Sequence, residues 1–167
     1  MAAVAALALG AGSYFGVRTL QREPAVMRPA TALLGTTLPD AQGAPQRIEQ
    51  WLGKVVVVNF WATWCAPCRE EMPLFIRVQN DLGGRGLQFV GIAVDQVEKV
   101  RPFARELGLN YPVLIGGYGA MELSRALGNT VMALPFTVII DRQGNVAYEQ
   151  LGVIKPDTLR TTLEALL

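Results

Sequence analysis

The chain has 167 residues and is 51% hydrophobic, enough for one domain with a sizeable core plus a short extension. Its 15 basic and 14 acidic side chains leave a formal net charge of +1, and no basic cluster interleaves with aromatics, which argues against a nucleic-acid surface. Histidine is absent, which excludes His-based triads, His metal ligands and a Cys-x-x-Cys-His haem attachment, because Arg69 follows Cys68.

Met1 to Val17 carries no charge and is mostly Ala, Leu, Val and Gly, with Arg18 and Arg22 after it. Such a stretch reads as a membrane anchor or signal segment over residues 1–20. At about 17 residues it is at the short limit for a spanning helix. No basic residue precedes it, which points to a start lying upstream. Gly10-Ala11-Gly12 would leave too short an apolar region as a cleavage site, so an uncleaved anchor is expected. Residues 21–32, with Pro24 and Pro29, read as a polar, proline-broken linker. Residues 33–167 then form the domain.

Leu38-Pro39-Asp40-Ala41-Gln42-Gly43 is a turn signal between two short extended pieces, an N-terminal hairpin. Val55 to Phe60 is a continuous apolar, β-branched run, the pattern of a strand buried on both faces. After it, Cys68, Met72, Phe75, Ile76 and Leu82 recur at roughly helical spacing. Leu87 to Val94 is a second apolar strand, so these pieces form a βαβ unit with parallel neighbours. A helix over Gln96 to Leu107 follows, stopped by Gly108. Tyr111 to Ile115 is a short extended piece, and Ala120 to Leu127 a short helix ended by Gly128. Phe136 to Ile140 is a strand that Asp141–Asn145 turns into an antiparallel return over Val146 to Leu151. The last helix starts at Pro156 and shows Leu159, Leu163 and Leu166 to the sheet. This order predicts an α/β fold, with a mixed central sheet flanked by helices on both faces.

Both cysteines, Cys65 and Cys68, lie where the central strand ends and a helix begins, the edge of an open α/β sheet where chemistry collects. The run Phe60-Trp61-Ala62-Thr63-Trp64-Cys65-Ala66-Pro67-Cys68, with Pro73 and Leu134-Pro135-Phe136-Thr137, resembles the thioredoxin fold. Asn59, the continuation Arg69-Glu70-Glu71-Met72-Pro73 and the Gly83–Gly91 spacing are similar to the TlpA/ResA-like branch. The resemblance covers about residues 33 to 167. It implies a thiol–disulfide oxidoreductase, tethered to the inner membrane and facing the bacterial periplasm. It further implies a membrane thiol electron donor, oxidised client proteins such as apocytochrome c or copper-assembly cysteines, and a monomer. No cofactor beyond a Cys65–Cys68 disulfide and no metal is expected.

The chemistry gives each residue a role. Cys65 sits at the helix N-terminus, where backbone N–H groups and the dipole stabilise a thiolate, so it is the expected attacking thiol. Cys68, one turn in and facing inward, is the expected resolving thiol. A merely stabilising disulfide over so short a loop would gain only about 2 kcal/mol. A zinc site would need four ligands. Pro67 suits the first helical turn. Trp64 is expected to cover one side of Cys65, with packing on the adjacent loop as the plainer role, and Trp61 to be core. Leu134-Pro135 resembles the family's cis-proline site, which would let the Leu134 backbone pair with an extended substrate. Glu71 shares a helix side with Cys68; the resemblance implies a glutamate near the active site that influences cysteine acidity or partner recognition, and the plainer reading is a solvated helix-face carboxylate. Glu70 is expected to face solvent. Asn59 stands where cytosolic thioredoxins carry a buried aspartate, so proton transfer would fall to Glu71, water or substrate.

Three other readings use the same residues. A dithiol oxidase or isomerase would usually carry a histidine between the cysteines and an inserted helical domain, and neither is present. A peroxidase would need Thr or Ser where Ala62 stands. A copper-assembly factor would space its cysteines by three residues and add a histidine.

Overall fold

The central strand is Val55–Trp61, and every one of its residues is buried. The structure, a computed structural model, describes residues 28–167. In chain order the strands are β1 (Arg28–Pro29), β2 (Thr37–Pro39), β3 (Pro45–Arg47), β4 (Val55–Trp61), β5 (Leu87–Ala93), β6 (Val113–Ile115), β7 (Phe136–Ile140) and β8 (Asn145–Leu151). The α-helices are α1 (Thr31–Leu34), α2 (Ala66–Leu82), α3 (Val97–Glu106), α4 (Gly119–Ala126) and α5 (Pro156–Leu166). Among the described residues the main sheet has six strands in the order β1-β8-β7-β4-β5-β6. Strand β4 is parallel to β5 and antiparallel to β7, which explains its unbroken apolar run: it has a strand on each side and helices on each face.

Alternation along β4 sorts the core into two sides. Val56, Val58 and Phe60 pack with Leu33, Ile48, Trp51, Ala120 and Leu127, beneath α1 and α4. Val55 and Val57 pack with Phe75, Val78 and Leu82 of α2 and with Leu159 and Leu163 of α5. Trp61 continues that side, joined by Cys68 and Met72 of α2 and Val100 of α3. The α2 positions are those whose helical recurrence marked an inward face, except Ile76, which is only half-buried.

The hairpin β2–β3 closes around Asp40, whose Oδ1 accepts from the N–H groups of Gln42 and Ala44 at 2.9 Å each. It is joined to the main sheet by a bridge between Asp40 and Leu114. The main sheet starts earlier than the chain pattern suggests. Arg28–Pro29, inside the segment read as linker, pairs with Val146 and Asn145 of β8. Ala30 and Leu33 are fully buried beside it. A two-residue strand and one helical turn are too short to leave a periodic signal. The apolar segment 1–20 lies outside the described residues. Among the described residues no helix is long and apolar enough to cross a membrane.

The Phe75 ring is fully buried, 5.1 Å from the Phe89 ring, and joins α2 to β5. Replacing Phe75 with Ala removes that contact and leaves a cavity, so unfolding in urea should show a loss of about 3–5 kcal/mol.

Candidate active site

Strand β4 delivers the chain to the site, and α2 begins immediately after Cys65. Cys65 caps the helix: its backbone is extended (φ −85°, ψ 100°) and its sulfur accepts the N–H of Cys68 at 3.3 Å. Pro67 lies in the first turn, where its missing N–H costs nothing. Cys65 and Cys68 form a disulfide with Cα atoms 5.3 Å apart. Cys68 is fully buried, whereas Cys65 keeps 5% of its surface. A partner can therefore reach Cys65 and not Cys68, as the attacking and resolving roles require.

The loop between β4 and α2 is braced from β5. Val94 donates its N–H to the Trp61 carbonyl at 2.7 Å. Asp95 accepts from the Thr63 N–H at 3.3 Å and from the Thr63 hydroxyl. Burial opposes ionisation of Asp95. The Thr63 hydroxyl, the N–H groups of Gln96 and Thr63, and Lys99 outweigh it and hold the carboxyl below its ordinary range. Trp64, between Thr63 and Cys65, is 67% exposed, at the surface next to the disulfide. Trp61 is wholly buried, its ring tilted against that of Phe103 at 5.4 Å, and Arg69 lies 5.5 Å over the Phe103 ring.

The Leu134–Pro135 bond is cis. Leu134 packs against the cluster that contains Cys65, Cys68 and Trp61. The Pro135 carbonyl accepts from Gly152, whereas no backbone hydrogen bond among the described residues engages Leu134. The preceding loop is tied down by Asn129, which is buried and holds both the N–H and the carbonyl of Ala133 at 3.1 and 2.9 Å. Exposed Val131 and Met132 sit on that loop.

Glu71 is the carboxylate of consequence. It is 2% exposed, so the solvated role is excluded, while Glu70 does face solvent. Its Oε1 accepts from Asn59 Nδ2 at 2.8 Å and its Oε2 from the Ile154 N–H at 3.2 Å. Asn59 Nδ2 also donates to the Thr137 hydroxyl at 3.0 Å. Burial pushes the Glu71 carboxyl up to about 7, against the pull of those hydrogen bonds. Tyr111 is raised by burial and, secondarily, by the Glu71 charge. Asn59 Oδ1 and Trp61 Nε1 are buried without a hydrogen-bond partner among the described residues.

Sequence reasoning singled out the cysteines, Pro67, Glu71, Leu134 and Pro135, and the structure brings them together at one end of β4. It did not assign roles to Asp95, Asn129 and Thr137. Asp95 had a usable signal, an acid directly after an apolar strand run. Asn129 and Thr137 had none, because their partners are distant in sequence or lie in an irregular loop.

A fold with a reactive dithiol at the head of a helix, a buried partner thiol and a cis-proline loop beside it is thioredoxin-like. The model of the Redoxin family matches residues 25–167, and the chain belongs to that family. It is 30% identical over 146 residues to the thiol-disulfide oxidoreductase ResA of Bacillus thuringiensis subsp. konkukian, covering 87% of this chain and 80% of the relative. It is 31% identical over 132 residues to the thioredoxin-like protein YneN of Bacillus subtilis, covering 77% and 74%. A solved thiol:disulfide interchange protein from Chlorobium tepidum superimposes with a TM-score of 0.74 at 28% identity, covering 86% of this chain and 98% of the other. The protein is a thiol–disulfide oxidoreductase of the ResA type, with Cys65 and Cys68 as its Cys-x-x-Cys pair.

Glu71 gives stability a pH dependence. Its carboxyl binds a proton more tightly folded than unfolded, so the penalty of burying the charge is absent below the unfolded value near 4.5 and complete above about 7. Denaturation of the oxidised protein should show stability falling between pH 4.5 and 7, by up to roughly 3 kcal/mol. Glu71→Gln should flatten that slope.

Proposed function

We propose that this protein is a membrane-tethered reductase of protein disulfides, working on the outer side of a bacterial inner membrane. The observation that carries the direction is the buried Glu71 on the same side of α2 as Cys68. A desolvated carboxyl there disfavours a second negative charge close by, so it opposes a dithiolate and favours the disulfide form. A pair that prefers to be oxidised gives up its electrons readily, which is the property of a reductant. The absence of histidine between the cysteines supports the same direction.

The catalytic cycle follows from the positions of the groups. The reduced Cys65 thiolate, stabilised by the N-terminus of α2, attacks one sulfur of a client disulfide and forms a mixed disulfide. The client's other sulfur leaves as a thiolate. The client segment lies against the Leu134 backbone and the exposed Trp64, pairing as an added strand. Cys68 gives its proton to Glu71, which is half-ionised near neutrality, and attacks Cys65. The client departs with its second thiol, and Cys65–Cys68 is again a disulfide. A membrane thiol donor then restores the dithiol. Asn59 cannot take the Cys68 proton, but it holds the Glu71 carboxylate that can.

The remaining assignments rest on the chain's uncharged start and on the family likeness. Residues 1–20 serve as the tether. Clients are the cysteines of apocytochrome c or of copper-protein assembly. The protein acts as a monomer, with the Cys65–Cys68 disulfide as its redox group.

Equilibration with a dithiothreitol or glutathione couple gives the reduction potential of the pair. A value near roughly −270 mV or lower is expected, and a value near about −120 mV would make the protein a disulfide donor instead. Cys65→Ser should abolish reduction of a disulfide client, whereas Cys68→Ser should accumulate a mixed disulfide visible on a non-reducing gel.

A further inference from the structure

A turn from Ala62 to Cys65 carries the chain from β4 to α2, closed by the Cys65 N–H on the Ala62 carbonyl at 3.2 Å. Its central residues are Thr63 and Trp64. The Trp64 side chain is largely exposed and makes no hydrogen bond among the described residues, so the middle of the turn is tied down through Thr63. Thr63 gives both its N–H, at 3.3 Å, and its hydroxyl to one oxygen of Asp95. The other oxygen takes the Gln96 N–H at 2.8 Å and faces the Lys99 ammonium at 3.8 Å. The Asp95 side chain is only 4% exposed. Four donors converge on it. Only a carboxylate, which accepts at both oxygens and donates at neither, satisfies them all. The head of α3 and the turn before Cys65 are thereby fixed to each other.

We propose that Asp95 is a positioning residue for thiol–disulfide exchange: through Thr63 it holds the turn so that the sulfur of reduced Cys65 stays against the N–H groups at the head of α2. In the oxidised protein the bond to Cys68 also fixes that sulfur, which accepts the Cys68 N–H at 3.3 Å. Reduction removes the covalent tie. What then keeps Cys65 extended at the helix cap is the turn bond to Ala62, the Arg69 N–H on the Cys65 carbonyl and the grip of Asp95 on Thr63. A cap residue that swings out of line loses the N–H groups that favour its charge, and a thiol without them is a weaker nucleophile at neutral pH. Lys99 offsets the Asp95 charge, so the brace does not set a bare anion behind the thiolate. The other charged groups around Cys65 are Arg69, Glu70 and buried Glu71 on α2, and the loop from Asn129 to Pro135 carries none. Such positioning serves exchange in either direction, so it is independent of the reductase assignment.

Alkylation of the reduced protein by iodoacetamide across a pH series reads the Cys65 midpoint, since Cys68 is fully buried. Thr63→Val removes the hydroxyl and leaves every charge in place. It should raise the midpoint by about half a pH unit, a roughly threefold loss of thiolate on the acid side. Thr63→Ser keeps the hydroxyl and should match the unaltered protein. Asp95→Asn puts a donor where an acceptor is needed and should raise the midpoint at least as far. Were Asp95 only a nearby negative charge, Asp95→Asn would lower the midpoint and Thr63→Val would leave it alone. That pair of results would overturn the assignment. So would a Thr63→Val protein that is less stable to urea with its midpoint unmoved, the result a purely structural brace predicts. Should one variant fail to fold, the other decides: a raised midpoint supports the positioning role, and a midpoint that does not rise sinks it.

Discussion

One hydrogen-bonded group at the centre of the sheet conditions everything around the disulfide: Asn59, Glu71, Thr137 and the Ile154 N–H, all buried. It ties β4, α2, β7 and the turn before α5 to each other through polar contacts in an otherwise apolar core. An unmatched polar atom there costs about 1–3 kcal/mol, so the network punishes any slip of α2 along the sheet. The helix that carries Cys65 and Cys68 is thereby registered against the strand that delivers them. Apolar packing alone, as between Phe75 and Phe89, tolerates sliding in a way that a hydrogen-bonded carboxylate does not.

The same network makes the site chemically asymmetric. Cys65 lies at an outward helix terminus, where N–H groups favour a thiolate. Cys68 is shielded and has a carboxyl of near-neutral affinity on its helix side. One sulfur is equipped for attack from outside and the other for release of a proton inside. The loop that separates them from β4 is held by Asp95, so the exposure of Trp64 is imposed by anchored neighbours on both sides.

Much of this was legible in the chain. The β-branched run of β4, the inward positions of α2 apart from Ile76 and the proline at the head of α5 each carry a local physical cause, and each appears where its pattern put it. The cysteine pair and Leu134-Pro135 were readable because a motif places them at fixed points of the fold. The environment of Glu71 was not: spacing puts it on the Cys68 side of the helix, but its burial depends on Ile154, 83 residues away. Arg28–Pro29 escaped for the opposite reason, since the edge strand is too short for any periodicity and its proline reads as linker. Trp64 was expected to cover one side of Cys65 or to pack on the adjacent loop, and its large exposure depends on tertiary bracing of Thr63 that composition does not reveal.

The two borders of the sheet have a consequence for the behaviour of the chain in bulk. On one side β6 is short and met by the hairpin through Asp40 and Leu114. On the other, β1 is two residues long and ends in Pro29, which has no N–H to offer. Among the described residues, neither border presents a long row of open backbone groups on which a second copy could lay down a strand. The described sheet is thus poorly suited to receive its own kind along its margins, and should resist stacking into fibrils.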